Sequence, residues 1–133
     1  MSTLVDSNVL IDVLSEDERW FTWSSDALAH AVERSTLLIN PVIYAEVSIG
    51  YASAAEVEAA LPEGHFARVP LPFGAAFLAG RAFVEYRRKG GRRTSPLPDF
   101  YIGAHALVEG HTLLTRDSAR YRMYFPKLKL VSP

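Results

Sequence analysis

Cysteine is missing from this sequence of 133 residues. Its absence excludes disulfide bonds, thiolate metal sites and thiol nucleophiles, and it favours the reducing conditions of the cytoplasm. A run of eighteen apolar residues and an N-terminal secretory signal are missing too. We therefore expect an unprocessed cytoplasmic protein with no membrane partner. About half of the residues are apolar, which is enough for the core of one compact domain.

The chain also lacks a large excess of positive or negative residues: its formal net charge is −1. Any binding to a nucleic acid must then depend on a local basic patch or on bound metal. The chain has one dense basic stretch, formed by Arg87, Arg88, Lys89, Arg92 and Arg93. Two interpretations stay open for this stretch: it neutralises the end of a helix, or it contacts nucleic-acid phosphates without sequence preference.

Strand-like and helical patterns alternate along the chain. Short apolar or β-branched runs predict strands over residues 3–6, 36–39, 65–69, 111–115 and 127–131. Apolar residues at helical spacing predict helices over residues 9–14, 20–34, 42–49, 53–62, 73–89 and 99–109. We expect Ser7 or Asn8 to cap the first helix. The alternation predicts an α/β fold with a mainly parallel central sheet and helices on both faces.

Four acidic residues follow the predicted strands or begin the helices after them. Asp6 ends the first strand and Asp117 follows the strand at 111–115, whereas Glu46 and Asp99 lie early in helices. Since an open α/β sheet binds ligands beyond the carboxyl ends of its strands, we expect the four carboxylates to converge there. Taken one at a time, Asp6 and Asp99 would equally suit helix N-termini.

A cluster of carboxylates requires a proton or a cation. Two like charges about 4 Å apart repel by roughly 4 kcal/mol at an effective dielectric constant near 20. Hard oxygen ligands suit Mg²⁺ or Mn²⁺, and Mg²⁺ takes only one or two carboxylates directly. We expect Asp6 and Asp99 to be direct ligands, and Glu46 and Asp117 to hold water or a second ion. Such a site would supply a water nucleophile for phosphodiester hydrolysis.

Four segments carry a family resemblance: LVDSNVLIDVL near the start, YAE around Glu46, PLPDFYIGAHAL around Asp99, and LLTRDSARYRMYFPKLKLV near the end. In this order they resemble a PIN domain of the VapC toxin type, with all four acidic positions filled. Residues 52–93 contribute little to the resemblance. It implies a single PIN domain over residues 1–133, with a PIN-like fold, acting as the toxin of a type II toxin–antitoxin system.

The same resemblance implies an endoribonuclease that depends on Mg²⁺ or Mn²⁺, a homodimer, and a VapB-like antitoxin as partner. The implied catalytic residues are Asp6, Glu46, Asp99 and Asp117. Three neighbours in the same motifs are expected to orient the acids or water by hydrogen bonds: Ser7, Asn8 and Thr115. The basic stretch is then a candidate for contact with RNA phosphates.

Other polar residues favour structural roles. Asp12, in the first helix, is interpreted as a structural or solvent-facing acid. The four histidines are scattered and have no metal-ligand spacing.

Two other classes of magnesium-binding protein fit the sequence poorly. A phosphate-accepting receiver domain would need an aspartate and a lysine at strand ends where this chain has Asn40 and Arg116. A haloacid-dehalogenase-like phosphatase would need an aspartate two residues after the nucleophile, where Asn8 stands. The remaining alternative is a catalytically inactive PIN-like adaptor that binds RNA or protein, and a cleavage assay with and without metal separates it from the nuclease.

Overall fold

A computed structural model describes residues 1–133, and its centre is a five-stranded sheet in which every neighbouring pair of strands is parallel. The strands are β1 (Ser2–Val5), β2 (Thr36–Ile39), β3 (Ala67–Arg68), β4 (Thr112–Leu114) and β5 (Leu130–Val131). Their order in the sheet is β3-β2-β1-β4-β5, so β1 is the middle strand. The predicted α/β fold with a mainly parallel sheet is confirmed.

Seven helices flank the sheet. They are α1 (Ser7–Leu14), α2 (Phe21–Val32), α3 (Pro41–Ser48), α4 (Ala54–Ala60), α5 (Phe73–Arg88), α6 (Pro98–Glu109) and α7 (Ala119–Tyr124). The chain moves outward from β1 to β3 and then crosses back to β4 and β5. Since parallel crossovers are right-handed, this reversal puts α1 to α4 on one face of the sheet and α5 to α7 on the other. The change of direction lies between β1 and β4, where α/β folds open a crevice.

Local signals explain most helix ends. Pro41 stands in the first turn of α3, and the Asn40 side chain accepts a hydrogen bond from the Ile43 amide at 2.9 Å. Ser53 caps α4 in the same way, by accepting from the amide of Glu56. Gly110 ends α6 in the left-handed region at φ 72°, which glycine adopts without steric cost.

Four elements differ from the sequence-based expectation. Helix α1 begins at Ser7, so the N-cap is Asp6 and neither Ser7 nor Asn8. The strands expected at 65–69 and 127–131 are each reduced to two residues, β3 and β5, which lie at the two edges of the sheet and pair only with β2 and β4, respectively. Helix α7 was not predicted, because its six residues are shorter than the window of about 11–18 residues over which helical periodicity is usually recognised.

The core is built from the strands and the inner faces of the long helices. Leu4, Val5 and Leu114 are fully buried on β1 and β4, as expected for a parallel sheet covered on both faces. Phe100 and Ile102 of α6 join the same apolar cluster. No helix combines the length and the apolar character needed to cross a bilayer.

Candidate active site

Asp6 lies at the carboxyl end of the middle strand and is the centre of the site. Its amide donates to the carbonyl of Leu114 at 2.9 Å, and the residue is only 2 % exposed. Its Oδ2 atom accepts hydrogen bonds from the hydroxyls of Thr115 and Tyr121, each at 2.8 Å, and a longer one from Asn8 Nδ2 at 3.4 Å. The side chain makes no cap hydrogen bond to α1, because these partners hold it toward the sheet edge.

The charge of Asp6 has no cationic partner. Burial raises the pKa of Asp6 from 3.8 to about 6, although the hydrogen bonds from Tyr121 and Thr115 act in the opposite direction. The negative charges of Asp99 and Glu46 add to the rise. No Lys, Arg or His forms an ion pair with Asp6. A buried carboxylate in this state is stabilised by any cation that reaches it.

Glu46 was expected early in its helix, but it lies in the second half of α3, within reach of α1. Its Oε1 accepts a hydrogen bond from the Ser7 hydroxyl at 2.8 Å. Burial raises the pKa of Glu46, the Ser7 hydrogen bond lowers it, and the charge of Asp99 raises it further. Ser7 is 3.5 Å from Asp6 Oδ1, so one hydroxyl lies next to both acids.

Asp99 stands in the first turn of α6, directly after Pro98. Its Oδ2 is 3.2 Å from Nη1 of Arg120, and its Oδ1 is 3.4 Å from the hydroxyl of Tyr121. Burial raises the pKa of Asp99 even though the cation of Arg120 lowers it, and the charge of Asp117 raises it further. Tyr121 therefore touches Asp6 and Asp99 at the same time.

Asp117 is exposed at the rim of the site. Its backbone amide donates to the Thr115 hydroxyl at 3.2 Å, while its carboxylate makes no hydrogen bond or ion pair with the chain. It lines an open cavity together with Asp99, Tyr86 and Tyr124. The four acids thus occupy one edge of the sheet, with Asp6 at the bottom and Asp117 at the surface.

A polar network fixes the loop after β4 against α1. Asn8 Nδ2 donates to the Thr115 hydroxyl at 3.2 Å, and Asn8 Oδ1 accepts from the Arg116 amide at 3.1 Å. The Arg116 guanidinium binds both carboxylate oxygens of Asp12, at 2.8 and 3.1 Å. Ser24 donates to the same carboxylate at 2.8 Å. Asp12 is 2 % exposed, so the solvent-facing interpretation was wrong and the structural one is correct.

Two residues of the site, Arg120 and Tyr121, were not predicted from the sequence, because α7 was not predicted. The signal for this helix was present: Tyr121, Tyr124 and Phe125 have the i, i+3, i+4 spacing of one helical face. Tyr121 is 1 % exposed, and burial together with the charges of Asp6 and Asp99 raises its pKa well above the usual value. Its hydroxyl therefore keeps its proton and acts as a donor.

One member of the basic stretch at the end of α5, Lys89, lies near the acidic site. Arg87 Nη1 donates to the carbonyls of Gly91 and Arg93 and so closes the loop. Lys89 Nζ lies 5.0 Å from the ring centre of Tyr124, which lines the cavity of Asp99 and Asp117. The side chains of the other three members are exposed and form no hydrogen bond or ion pair: Arg88, Arg92 and Arg93.

The residues fit a divalent metal in type and charge, but not in the side-chain positions seen here. No group of three or more His, Cys, Asp or Glu side chains lies close enough together to hold a metal ion. Arg120 faces Asp99, and the Tyr121 hydroxyl contacts both Asp6 and Asp99. The donor set nevertheless consists of carboxylate oxygens, which Mg²⁺ and Mn²⁺ prefer. Burial raises the pKa of three of these acids, Asp6, Glu46 and Asp99, and a cation would relieve that unfavourable environment.

The sequence of this chain matches a known family of proteins, and its fold is similar to those of solved structures. The family model described as PIN domain matches residues 3–126. A chain of the VapBC2 structure from Rickettsia felis, bound to a DNA fragment of the promoter, is 19 % identical with a TM-score of 0.73, and the match covers 100 % of this chain and 99 % of that one.

Two further solved structures have the same fold. A chain of VapBC-1 from nontypeable Haemophilus influenzae is 15 % identical with a TM-score of 0.73, over 99 % of this chain and 98 % of that one. A chain of a toxin–antitoxin complex from Klebsiella pneumoniae is 22 % identical with a TM-score of 0.69, over 97 % and 95 %. No curated protein matches the chain in sequence.

Proposed function

The chain belongs to the PIN domain family, and we propose that it is a cytoplasmic metal-dependent endoribonuclease, the toxin of a toxin–antitoxin pair. The observation that carries the proposal is the buried carboxylate of Asp6, which has no cationic partner and lies beside Glu46 and Asp99 at the sheet edge. Perturbed carboxylates in a crevice are a common sign of a catalytic site.

Asp6 and Asp99 are the proposed direct ligands, whereas Glu46 and Asp117 hold metal-bound water or a second ion. The bound Mg²⁺ or Mn²⁺ would supply a water nucleophile of lowered pKa and a positive charge beside the phosphorus. Ser7 orients the Glu46 carboxylate, and Thr115 orients Asp6. Asp99 would exchange its contact with Arg120 for the cation, which is feasible because this ion pair is partly exposed.

The proposed substrate is RNA, and the basic stretch supports this assignment. Arg88, Arg92 and Arg93 present free cationic side chains, and Lys89 lies above a ring that lines the cavity of the acids. Contacts of this kind bind phosphates of any sequence, so they position a strand and do not read its bases.

The proposed partner is a VapB-like antitoxin, and the enzyme is proposed to act as a homodimer. The similar solved structures are VapBC or toxin–antitoxin complexes by their own descriptions. In this chain an apolar groove next to Glu46 is lined by Ile11, Leu14, Ile49 and Tyr51. Ile49 is 86 % exposed, so the groove offers apolar surface to an antitoxin segment that would also reach the acids.

Cleavage of a labelled RNA by partner-free protein tests the proposal. We expect cutting with Mg²⁺ or Mn²⁺ and none with EDTA. The variants Asp6→Asn, Glu46→Gln, Asp99→Asn and Asp117→Asn should each lose about a hundredfold or more in rate. Asp26→Asn is the matched control, because Asp26 lies on α2 and lines a cavity that includes none of the four acids.

A different result would favour the adaptor. Its supporting observation is the ion pair of Arg120 with Asp99, which already satisfies one of the two proposed ligands with a cation of the chain itself. RNA binding that is unchanged by metal, by EDTA and by the four acidic substitutions, without cleavage, would replace the nuclease by the adaptor.

A further inference from the structure

The hydroxyl of Tyr121 contacts both of the proposed direct metal ligands, Asp6 and Asp99, although the three residues come from different parts of the fold. It donates to Asp6 Oδ2 at 2.8 Å and lies 3.4 Å from Asp99 Oδ1. A phenol has one proton, and the shorter distance assigns that proton to Asp6. Tyr121 comes from α7, 115 residues along the chain from Asp6. The hydrogen bond therefore joins the helix after β4 to the end of the middle strand.

The two oxygens of Asp6 have different surroundings. Oδ2 accepts from Tyr121, from Thr115 and, at longer distance, from Asn8, so three donors hold this oxygen. Oδ1 has one contact, with the Ser7 hydroxyl at 3.5 Å, and this hydroxyl has a shorter bond to Glu46. The carboxylate is thus anchored through one oxygen, and the other is left with unused acceptor capacity.

Helix packing holds the Tyr121 ring in place. Gly103 lies on α6 where α7 approaches, and a Cβ atom there would lie 2.6 Å from a ring carbon of Phe125 and 3.0 Å from Cδ1 of Tyr121. Real Cβ atoms essentially never show a contact as short as the one to Phe125, and the one to Tyr121 is tighter than most. The missing side chain of Gly103 therefore allows α7 to approach α6 closely enough for the Tyr121 hydroxyl to reach the acids.

We propose that Tyr121 is a positioning residue, whose hydroxyl anchors Asp6 through Oδ2 and thereby leaves Oδ1 available to a divalent cation. This inference rests on the proposed function and adds a residue to it. The ring of Tyr121 contributes packing, whereas its hydroxyl sets the affinity of the site for metal. Hydrogen-bonding partners of a metal ligand typically change metal affinity by 10–100-fold.

Manganese binding to the partner-free protein tests the inference. The Kd for Mn²⁺ is measured from the signal of free Mn²⁺ in electron paramagnetic resonance, for wild type, Tyr121→Phe and Tyr124→Phe. Tyr124→Phe is the matched control, because Tyr124 lies on the same helix and packs on Phe100 but has no hydrogen bond to an acid. We expect the Kd to rise about tenfold in Tyr121→Phe and to stay unchanged in Tyr124→Phe.

Cleavage kinetics distinguish the proposed positioning role of the Tyr121 hydroxyl from a role of its ring in packing. In Tyr121→Phe, saturating Mn²⁺ should restore kcat, and the KM for RNA should equal that of wild type. Loss of activity that persists at saturating Mn²⁺, or a Kd for Mn²⁺ equal to that of wild type, would overturn the inference. If Tyr121→Phe does not fold, Gly103→Ala replaces it, because it keeps the hydroxyl but displaces the ring, and an unchanged Kd in that variant overturns the inference equally.

The Asp6→Asn variant tests the proposed metal site independently of the proposed role of Tyr121. Wild type that binds Mn²⁺, with binding lost in Asp6→Asn, supports the metal site whatever Tyr121→Phe does. Wild type that binds no Mn²⁺ and cuts no RNA ends both the proposed function and the role of Tyr121.

Discussion

Replacing Asp6 with asparagine changes the charge of the site while nearly preserving its shape. The amide oxygen of asparagine can accept the hydrogen bonds that Thr115 and Tyr121 donate to Asp6 Oδ2. The substitution removes a buried negative charge that has no cation beside it. We therefore expect Asp6→Asn to abolish cleavage and to stabilise the metal-free fold.

The size of the gain follows from the pKa of Asp6. Burial raises it from 3.8 to about 6, which corresponds to about 3 kcal/mol at neutral pH. Below pH 3.8 the carboxyl carries a proton in both the folded and the unfolded chain, so the variant gains little. Between pH 3.8 and about 6 the unfolded chain releases this proton first, and the wild type loses stability relative to the variant. Above pH 6 the full gain applies.

Urea denaturation in EDTA at pH 4 and pH 7.5 measures this difference. We expect Asp6→Asn to exceed wild type by about 3 kcal/mol at pH 7.5 and by less than about 1 kcal/mol at pH 4. For a domain of this size the gain at neutral pH corresponds to a rise in Tm of roughly 10 °C. A gain that is absent, or equal at the two pH values, would refute the electrostatic reasoning.

Asp12→Asn is the matched control for this experiment. Asp12 and Asp6 are each 2 % exposed, but Asp12 receives two hydrogen bonds from the Arg116 guanidinium. Removing its charge leaves that guanidinium without its partner, and we expect a loss of roughly 1–3 kcal/mol at pH 7.5. Opposite signs for two equally buried aspartates would show that the presence of a cation, and not burial alone, decides the outcome.

Three further results are expected. Mg²⁺ or Mn²⁺ at ten times its Kd should stabilise the wild type by about 1.4 kcal/mol, seen as a higher Tm, and an unchanged melt in partner-free protein would argue for a degenerate site. Gly103→Ala should lose roughly 1–3 kcal/mol in denaturant titrations because its Cβ meets Phe125, whereas Gly80→Ala, with open space in α5, should gain up to about 1 kcal/mol. An antitoxin arginine placed among the acids should inhibit cleavage in competition with Mg²⁺, since Arg120 already makes such a contact with Asp99, and inhibition that ignores both the arginine and the metal would indicate simple occlusion.

The sequence predicted the part of the site that depends on strand order and strand ends. Asp6 and Asp117 follow neighbouring parallel strands, β1 and β4, and the carboxyl ends of such strands meet at one edge. Asn40 and Pro41 begin α3 immediately after β2, which brings Glu46 to the same region. These positions follow from local patterns combined with general rules of α/β folds, so no knowledge of specific contacts was needed.

Contacts between residues that are far apart in the sequence could not be predicted from such patterns. Tyr121 reaches Asp6 only because α7 packs on α6 over Gly103, and Arg116 reaches Asp12 across 104 residues of sequence. Helical or strand periodicity describes which face of an element is apolar, but it does not say which polar groups of two elements will meet. A place for Asp6 at the helix N-terminus was one of the expected interpretations, and only the position is confirmed: Asp6 is the N-cap residue, but its side chain makes no cap hydrogen bond and binds tertiary partners instead.

A comparison of Asp6 with Asp12 shows how the proposed functional acid, Asp6, differs from the structural acid, Asp12. They are six residues apart, equally buried and both hydrogen-bonded by hydroxyl groups, yet only Asp12 is paired with an arginine. The fold therefore neutralises the buried carboxylate of Asp12 with an arginine of the chain, but it does not neutralise that of Asp6. Leaving Asp6 charged without a cation lowers the stability of the chain and brings no benefit to packing. Such a cost is expected where the balancing charge arrives from outside the chain, which is the role that we propose for a divalent metal at Asp6.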